Sequence, residues 1–115
     1  MNSIVIKPWG EFEIINSGEN YIVKKITVTP NGVLSLQSHK YRSEHWLIAK
    51  GEAEITLNDK IFCLKENEHI FIPKGAIHRI ANKKKQNLVI IEMWYGKKLE
   101  EDDIKRYDDI YGRIK

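Results

Sequence analysis

Residues 37–46 decide the fold, and their sequence is Gln37-Ser38-His39-Lys40-Tyr41-Arg42-Ser43-Glu44-His45-Trp46. Side chains in an extended strand alternate between two faces, so Gln37 and His39 should point the same way. After a short bend, Glu44 should return within reach of them. An amide oxygen, an imidazole and a carboxylate that converge in this way suit a divalent first-row metal ion. The segment therefore predicts half of a metal site carried on β-strands.

A second segment, residues 73–82, is expected to supply the fourth protein ligand. Its sequence is Pro73-Lys74-Gly75-Ala76-Ile77-His78-Arg79-Ile80-Ala81-Asn82. Pro73 and Gly75 predict a turn just before a short alternating strand that carries His78. A lone histidine on a strand is usually structural, and that interpretation suits His45 and His69. It is weaker for His78, because two separate segments with their own turn chemistry agree.

Composition bounds the class of protein. The chain has 115 residues, of which 42% are apolar and 30% charged, and its net charge is +3. These values predict one globular domain over residues 1–115 and identify no partner by charge. The run Lys83-Lys84-Lys85 has no interleaved aromatic residues, so it predicts a solvated turn and not a nucleic-acid site.

Targeting signals and membrane spans are not apparent in the sequence. No stretch approaches the roughly 20 apolar residues of a membrane span, and the first residues have no cleavage-site pattern. The single cysteine, Cys63, cannot form an internal disulfide. We therefore expect a cytoplasmic protein with no membrane partner.

Alternating apolar runs, separated by turn residues, predict roughly nine short strands in a double-sheet jelly roll or small barrel. The end of the chain has a different pattern. Acidic residues 100–103 precede Lys105 and Arg106, as the helix dipole favours, and Ile104, Tyr107 and Tyr111 would share one helical face. The predicted fold is therefore all-β with a short C-terminal helix, and the metal lies between the sheets.

Two charged residues lie on strand faces that are otherwise apolar. Lys24 shares a face with Ile26, so it is either an edge-strand lysine that reaches water or a cation aimed into the barrel mouth. Glu92 shares a face with Ile90. A buried carboxylate costs several kcal/mol unless it is paired, so Glu92 needs either a cationic partner or a catalytic role.

The motifs resemble those of the cupin superfamily, whose fold is a double-stranded β-helix, or jelly-roll barrel. The matching residues are Gly32, Gln37-x-His39-x4-Glu44-x6-Gly51 and Pro73-x-Gly75-x2-His78-x3-Asn82, with Gln37 at the position of the usual first histidine. The run Leu34-Ser35-Leu36-Gln37-x-His39-x2-Arg42-x-Glu44-His45-Trp46 resembles the isomerase domain of type II phosphomannose isomerases. That domain is often fused to a mannose-1-phosphate guanylyltransferase. Lys7-Pro8-Trp9-Gly10 and residues 96–113 match the same family, so the resemblance covers almost the whole chain.

The resemblance implies a metal-dependent aldose–ketose isomerase that interconverts mannose 6-phosphate and fructose 6-phosphate through an enediol. One divalent ion is expected, zinc first and manganese, nickel, cobalt or iron as alternatives. The implied metal ligands are Gln37, His39, Glu44 and His78. The residues implied to serve the sugar phosphate are Arg42 and Arg106, with Lys24 and Arg113 as further candidates. Glu92 and His45 are candidates for the catalytic base.

Departures from the family pattern keep two alternatives open. Relatives commonly carry His-x-His-Arg where this chain has His39-Lys40-Tyr41-Arg42. Trp94 stands where relatives carry an amide, and this difference can change a sugar pocket. The alternatives are another metal cupin, such as an iron dioxygenase or one that acts on a different sugar phosphate or a nucleotide sugar, and a non-catalytic sugar-binding cupin. A homodimer is expected, with Trp9, Trp46 or Trp94 as interface candidates.

Overall fold

The computed structural model describes residues 3–113, which fold into two antiparallel β-sheets. The strands are β1 (Ile4–Lys7), β2 (Gly10–Ser17), β3 (Tyr21–Val28), β4 (Leu36–Ser38), β5 (Ser43–Lys50), β6 (Ala53–Leu57), β7 (Lys60–Leu64), β8 (His69–Ile72), β9 (His78–Ala81), β10 (Leu88–Tyr95) and β11 (Lys105–Asp108). One sheet has the order β1-β2-β3-β10-β5-β8 and the other β11-β4-β9-β6-β7. The all-β prediction is confirmed. No helix that could cross a membrane is present in the described part of the chain.

The core lies between the two sheets, because each strand turns every second side chain inward. On β10 the inward residues are all buried, and Leu88 and Ile90 have no solvent-exposed surface. Ala53 and Ile55 of β6 face them from the other sheet and are equally buried. The alternation that predicted the strands therefore also selects the residues that fill the barrel.

The predicted C-terminal helix is wrong. Residues 105–108 form β11, which pairs antiparallel with β4 and places Arg106 beside Gln37. The Asp103 carboxylate accepts the backbone N–H groups of Lys40 and Tyr41, both at 2.9 Å, so it does not cap a helix. Pairing with a distant strand overrides the local charge pattern, as tertiary context often overrides weak helix propensity.

The three tryptophans also lie elsewhere than expected. Trp9, Trp46 and Trp94 are 6%, 1% and 3% exposed, so they belong to the interior and cannot form a dimer interface. All three line a cavity at one end of the barrel, and Trp9 and Trp46 also belong to the hydrophobic core. Indole rings inside a small barrel combine a large apolar area with one N–H that needs a partner.

Candidate metal centre

Three of the four predicted ligands come together inside the barrel. The ligand atoms of His39, Glu44 and His78 all lie within 4.8 Å of one another, and each residue is at most 4% exposed. His39 follows β4, Glu44 lies near the start of β5, and His78 begins β9. The His39 Nε2 atom is 3.2 Å from Glu44 Oε2. Strands from both sheets therefore build one compact cluster.

Backbone carbonyls orient both imidazoles. The His39 ring lies 2.7 Å from the Asp103 carbonyl oxygen through Nδ1, and the His78 Nδ1 atom lies 3.0 Å from the Ala76 carbonyl oxygen. A carbonyl oxygen only accepts, so each Nδ1 carries the hydrogen and each Nε2 presents a lone pair; that of His39 accepts a hydrogen bond from Arg42 Nη2 at 3.1 Å. Burial lowers the pKa of His39 to about 4 and also lowers the pKa of His78. Both rings are therefore neutral donors near pH 7.

Glu44 supplies the negative charge of the cluster. Its Oε2 atom accepts a hydrogen bond from Arg42 Nε at 2.8 Å, and its Oε1 atom accepts one from Trp46 Nε1 at 2.9 Å. Burial by itself would raise the pKa of Glu44, but contact with His78, His39 and Arg42 lowers it to about 2. The carboxylate is therefore ionised over the whole physiological range.

This donor set fits a divalent first-row metal ion. Two neutral imidazole nitrogens and one carboxylate are typical of open catalytic sites, which keep further positions for substrate. Gln37 lines the same cavity, and its amide Nε2 donates to the Ser35 carbonyl oxygen at 3.2 Å and to Ser35 Oγ at 3.0 Å. This arrangement leaves the Gln37 amide oxygen available as a fourth donor.

A cavity at this end of the barrel is lined by many cations. They are Lys7, Lys24, Arg42, Arg79, Arg106 and Arg113. Most of them are already paired within the chain: Lys24 with Glu101 at 2.7 Å and Arg113 with Asp109 at 2.8 Å, for example. Arg106 differs, because its Nε atom is buried without a hydrogen-bond partner among the described residues. All four residues predicted to serve the sugar phosphate thus line this one cavity.

Glu92 and Trp94 form the floor of the cavity, next to the metal cluster. Trp94 Nε1 donates to Glu92 Oε1 at 2.7 Å, and the Arg42 guanidinium stacks 3.4 Å from the indole ring centre. Burial and then the negative charge of Glu44 raise the pKa of Glu92 well above its usual value. Glu92 is therefore a weaker acid, and its carboxylate a stronger base, than an ordinary glutamate. Lys24 lies opposite it in the sheet, yet the lysine ammonium bonds to Glu101 instead.

His45, a candidate for the catalytic base, lies away from the cavity. It is exposed on the outer face of β5, where its ring packs on Phe71 at 4.8 Å between centroids. Strand alternation explains the separation, because its neighbour Glu44 points inward. The sequence interpretation missed Asp103, which orients His39, and Glu101, which pairs with Lys24. Their signal was the acidic run at residues 100–103, which was assigned to a helix start.

Two facing antiparallel sheets around a His–Glu–His cluster define a cupin-type barrel. Solved structures agree: this chain superposes on oxalate decarboxylase from Bacillus subtilis with a TM-score of 0.82 and 16% identity, over 92% of this chain and 30% of that one. The capsular polysaccharide assembling protein CapF from Staphylococcus aureus gives a TM-score of 0.78 and 18% identity, over 95% and 35%. At these identities the likeness establishes the fold.

Sequence comparison assigns the chain to a family, which is a narrower class than the fold. The model of the mannose-6-phosphate isomerase C-terminal family matches residues 1–109, so the chain belongs to that family. It is 46% identical to the mannose-1-phosphate guanylyltransferase ManC of Salmonella typhimurium, over 99% of this chain and 24% of that protein. It is 47% identical to the alginate biosynthesis protein AlgA of Pseudomonas aeruginosa, over 95% and 23%. The chain thus spans about a quarter of the length of these relatives.

Proposed function

We propose that this domain is a metal-dependent aldose–ketose isomerase that interconverts mannose 6-phosphate and fructose 6-phosphate. One observation carries the proposal: within a member of this family, Glu44 and His78 of the buried His39–Glu44–His78 cluster line the same cavity as Glu92, whose pKa is raised, and Arg106, whose buried Nε has no partner among the described residues. An isomerisation of this class needs a Lewis acid, a proton carrier and an anion holder. The cavity offers residues that could hold a metal ion, carry a proton and bind an anion.

The metal would be held by His39, Glu44 and His78, with Gln37 as the fourth ligand. When bound, a divalent ion supplies the positive charge that polarises the sugar carbonyl and stabilises the developing enediol oxygens. Zinc suits two imidazoles, a carboxylate and an amide oxygen. Manganese, nickel, cobalt and iron accept the same donor types.

Glu92 would carry the proton between C1 and C2 of the sugar. Its raised pKa makes the ionised carboxylate a stronger base than an ordinary one, so it would first accept the proton from C2 and then return it to C1. The indole N–H of Trp94 fixes one carboxyl oxygen of Glu92, and a hydrogen bond with Glu44 contributes to the raised pKa of Glu92. Because Glu44 lies close by and repels a second negative charge, the ionised form of Glu92 readily recovers a proton.

Arg106 would be the principal phosphate holder. A guanidinium presents several N–H donors in a plane that matches phosphate oxygens, and in Arg106 the Nε donor has no competing partner among the described residues. Arg42, Lys24 and Arg113 line the same cavity and add positive charge. Arg42 also holds Glu44 by a 2.8 Å hydrogen bond, so it would link the phosphate side of the cavity to the metal side.

We also propose that the domain works as a cytoplasmic homodimer in polysaccharide biosynthesis. The outward residues of β10 are apolar, and beside them Leu47 of β5 and Phe71 of β8 are 40% and 49% exposed. Apolar patches of this kind on a sheet face favour association with an identical face. The exposed free thiol of Cys63 suits a reducing compartment. The pathway follows from relatives named for alginate and xanthan biosynthesis.

Proton exchange at C2 of mannose 6-phosphate in deuterated water tests the isomerase. We expect metal-loaded protein to exchange the proton and form fructose 6-phosphate, and His39→Ala to lose both activities. His69→Ala is the matched control, because His69 is exposed on β8. Metal and sugar-phosphate binding without exchange would contradict the isomerase and favour a sugar-binding cupin. Exchange with another sugar phosphate or a nucleotide sugar would favour a different substrate.

A further inference from the structure

Residues 96–104 connect β10 to β11 and contribute to the wall of the cavity. Hydrogen bonds attach the segment on both sides of Glu101. The Glu100 carbonyl oxygen accepts a hydrogen bond from Arg42 Nη1 at 3.3 Å, and the Asp103 carboxylate accepts the backbone N–H groups of Lys40 and Tyr41. Glu101 lies between these attachments, and its side chain lines the cavity while remaining 61% exposed. Glu101 therefore sits where solvent meets the cavity.

Lys24 is the partner of Glu101, and it is buried. Its side chain is 3% exposed on β3, and its ammonium lies 3.6 Å from the Trp94 ring centre and 4.1 Å from that of Phe12. A buried ammonium needs an anion close by, because aromatic faces compensate only part of its lost hydration. Among residues 3–113 the one salt-bridge partner of Lys24 is the Glu101 carboxylate, at 2.7 Å. The cation is thus fixed in the interior, while its anion comes from an exposed residue that can withdraw.

We propose that Glu101 is a specificity-determining residue whose carboxylate occupies, on Lys24, the position that the anionic group of the substrate takes on binding. The proposal rests on the proposed function for the identity of that substrate as a sugar phosphate. A phosphate can replace the carboxylate and restore the charge balance of Lys24. An uncharged sugar cannot, because its binding there would leave the buried ammonium without an anion.

Arg106 explains why phosphate should displace the Glu101 carboxylate from Lys24. Its buried Nε donor has no partner among the described residues, and it lines the same cavity as Lys24. The Glu101 carboxylate pairs with Lys24, whereas a phosphate has enough oxygens to bind an ammonium and a guanidinium at the same time. Glu101 would therefore screen ligands by charge and number of oxygens.

A purely structural ion pair would have the opposite consequence. If Glu101 only held Lys24 in place, removal of its charge would leave the lysine poorly positioned and would weaken anion binding. If Glu101 competes with the substrate, removal of its charge strengthens anion binding. The direction of the change in affinity separates these two roles.

The test compares Glu101→Gln with Glu100→Gln in the metal-loaded protein. The second variant is a matched control: it removes the same charge one residue away, and the Glu100 side chain is 54% exposed with Lys98 as its nearest cation at 3.9 Å. Calorimetric titration with inorganic phosphate should show binding to Glu101→Gln that is about 2- to 5-fold tighter than to Glu100→Gln, the range that a partly exposed ion pair supports. The KM for mannose 6-phosphate should fall by the same factor while kcat is not raised.

Phosphate binding to Glu101→Gln that is unchanged, weaker or absent relative to Glu100→Gln overturns the proposal. The calorimetric readout needs no turnover, so it also separates this proposal from the isomerase assignment. Tighter phosphate binding in a protein without isomerase activity would support the role of Glu101 and contradict the substrate. An active isomerase in which both variants bind phosphate equally would contradict the role of Glu101 alone.

Discussion

The interior of the barrel has an apolar end and a polar end, and the same strands build both. On β10 the inward residue Ile90 lies at the apolar end and Glu92 follows at the polar end; on β5 the order reverses, from Glu44 to Ile48. The antiparallel register places Ile90 beside Ile48 at the apolar end, and at the polar end it places Glu92 beside Trp46 and Glu44 beside Trp94. Strand alternation decides which side chains point inward, and the residue type at each inward position decides whether that level is core or site.

The two ends differ in what they contribute to folding. Burial of apolar side chains stabilises the fold by roughly 25 cal/mol for each Å² removed from water, and this term belongs to the apolar end. At the polar end, burial of charge costs free energy unless hydrogen bonds offset it. The chain limits that cost by giving each inward carboxylate an indole partner, Trp46 for Glu44 and Trp94 for Glu92. The ends should therefore respond differently to substitution.

The largest expected effect is at the polar end. We expect His78→Ala to abolish tight metal binding, a loss greater than the roughly 10- to 100-fold that removal of an outer hydrogen-bond partner costs. Urea denaturation of the metal-free protein measures the separate cost of emptying this position, because the His78 ring is buried and packs edge-on against Trp46 of the core. Competition with a metal-sensitive chelator measures the affinity. The exposed His69→Ala is the control, and equal affinities in the two variants would remove His78 from the site.

The next effect belongs to the apolar end and uses two adjacent isoleucines of β10. Ile90 is completely buried inside the barrel, whereas Ile91 is half-buried on the outer face. We expect Ile90→Ala to lower the free energy of unfolding by about 3 kcal/mol, since the deletion leaves a cavity in a packed core. In protein dilute enough to be monomeric, Ile91→Ala should cost about 1 kcal/mol or less, because less apolar surface is lost. Urea denaturation of the metal-free protein measures both.

Equal losses from the two substitutions would show that the outer face is as well covered as the interior. Measuring the loss of stability at lower protein concentrations then distinguishes the two possible causes. If the loss in Ile91→Ala shrinks as the protein is diluted, a second copy covers that face, as proposed for the homodimer. If the loss is independent of concentration, the distinction between the two faces of β10 does not hold.

Local pattern predicted the shared architecture of both ends but not the rim of the polar end. The strand alternation around Ile90 and the spacing of His39 and Glu44 are local properties, so they could be predicted. The pairing of Lys24 with Glu101 joins residues 77 positions apart, and no periodicity in the sequence encodes it. Asp103 was assigned to a helix for the same reason: its carboxylate satisfies backbone groups of a segment more than 60 residues earlier. The features that depend on local sequence could therefore be predicted, and those that depend on long-range hydrogen bonds could not.

The smallest expected effect lies at that rim, where Asp109 binds Arg113. The Asp109 carboxylate accepts hydrogen bonds from Arg113 Nε at 2.8 Å and from the Arg113 backbone N–H at 2.7 Å. The Arg113 side chain, more than the backbone hydrogen bond, lowers the pKa of Asp109 from 3.8 to about 2. A carboxyl whose pKa is lower in the folded state stabilises the fold above its unfolded pKa, and this stabilisation is lost as the pH falls through the folded pKa.

Asp109→Asn should therefore cost about 1 kcal/mol at neutral pH, as for a well-formed arginine–carboxylate pair near the surface. The difference from the parent protein should narrow as the pH falls from 3.8 toward 2. Thermal unfolding of the metal-free protein at several pH values measures it. Asp108→Asn is the control, because that side chain is 60% exposed and its pair with Arg79 should contribute less. A difference that stays constant down to pH 2 would mean that Asp109 stabilises the rim by packing, and the charge of its carboxylate would then have no part in closing the polar end of the barrel.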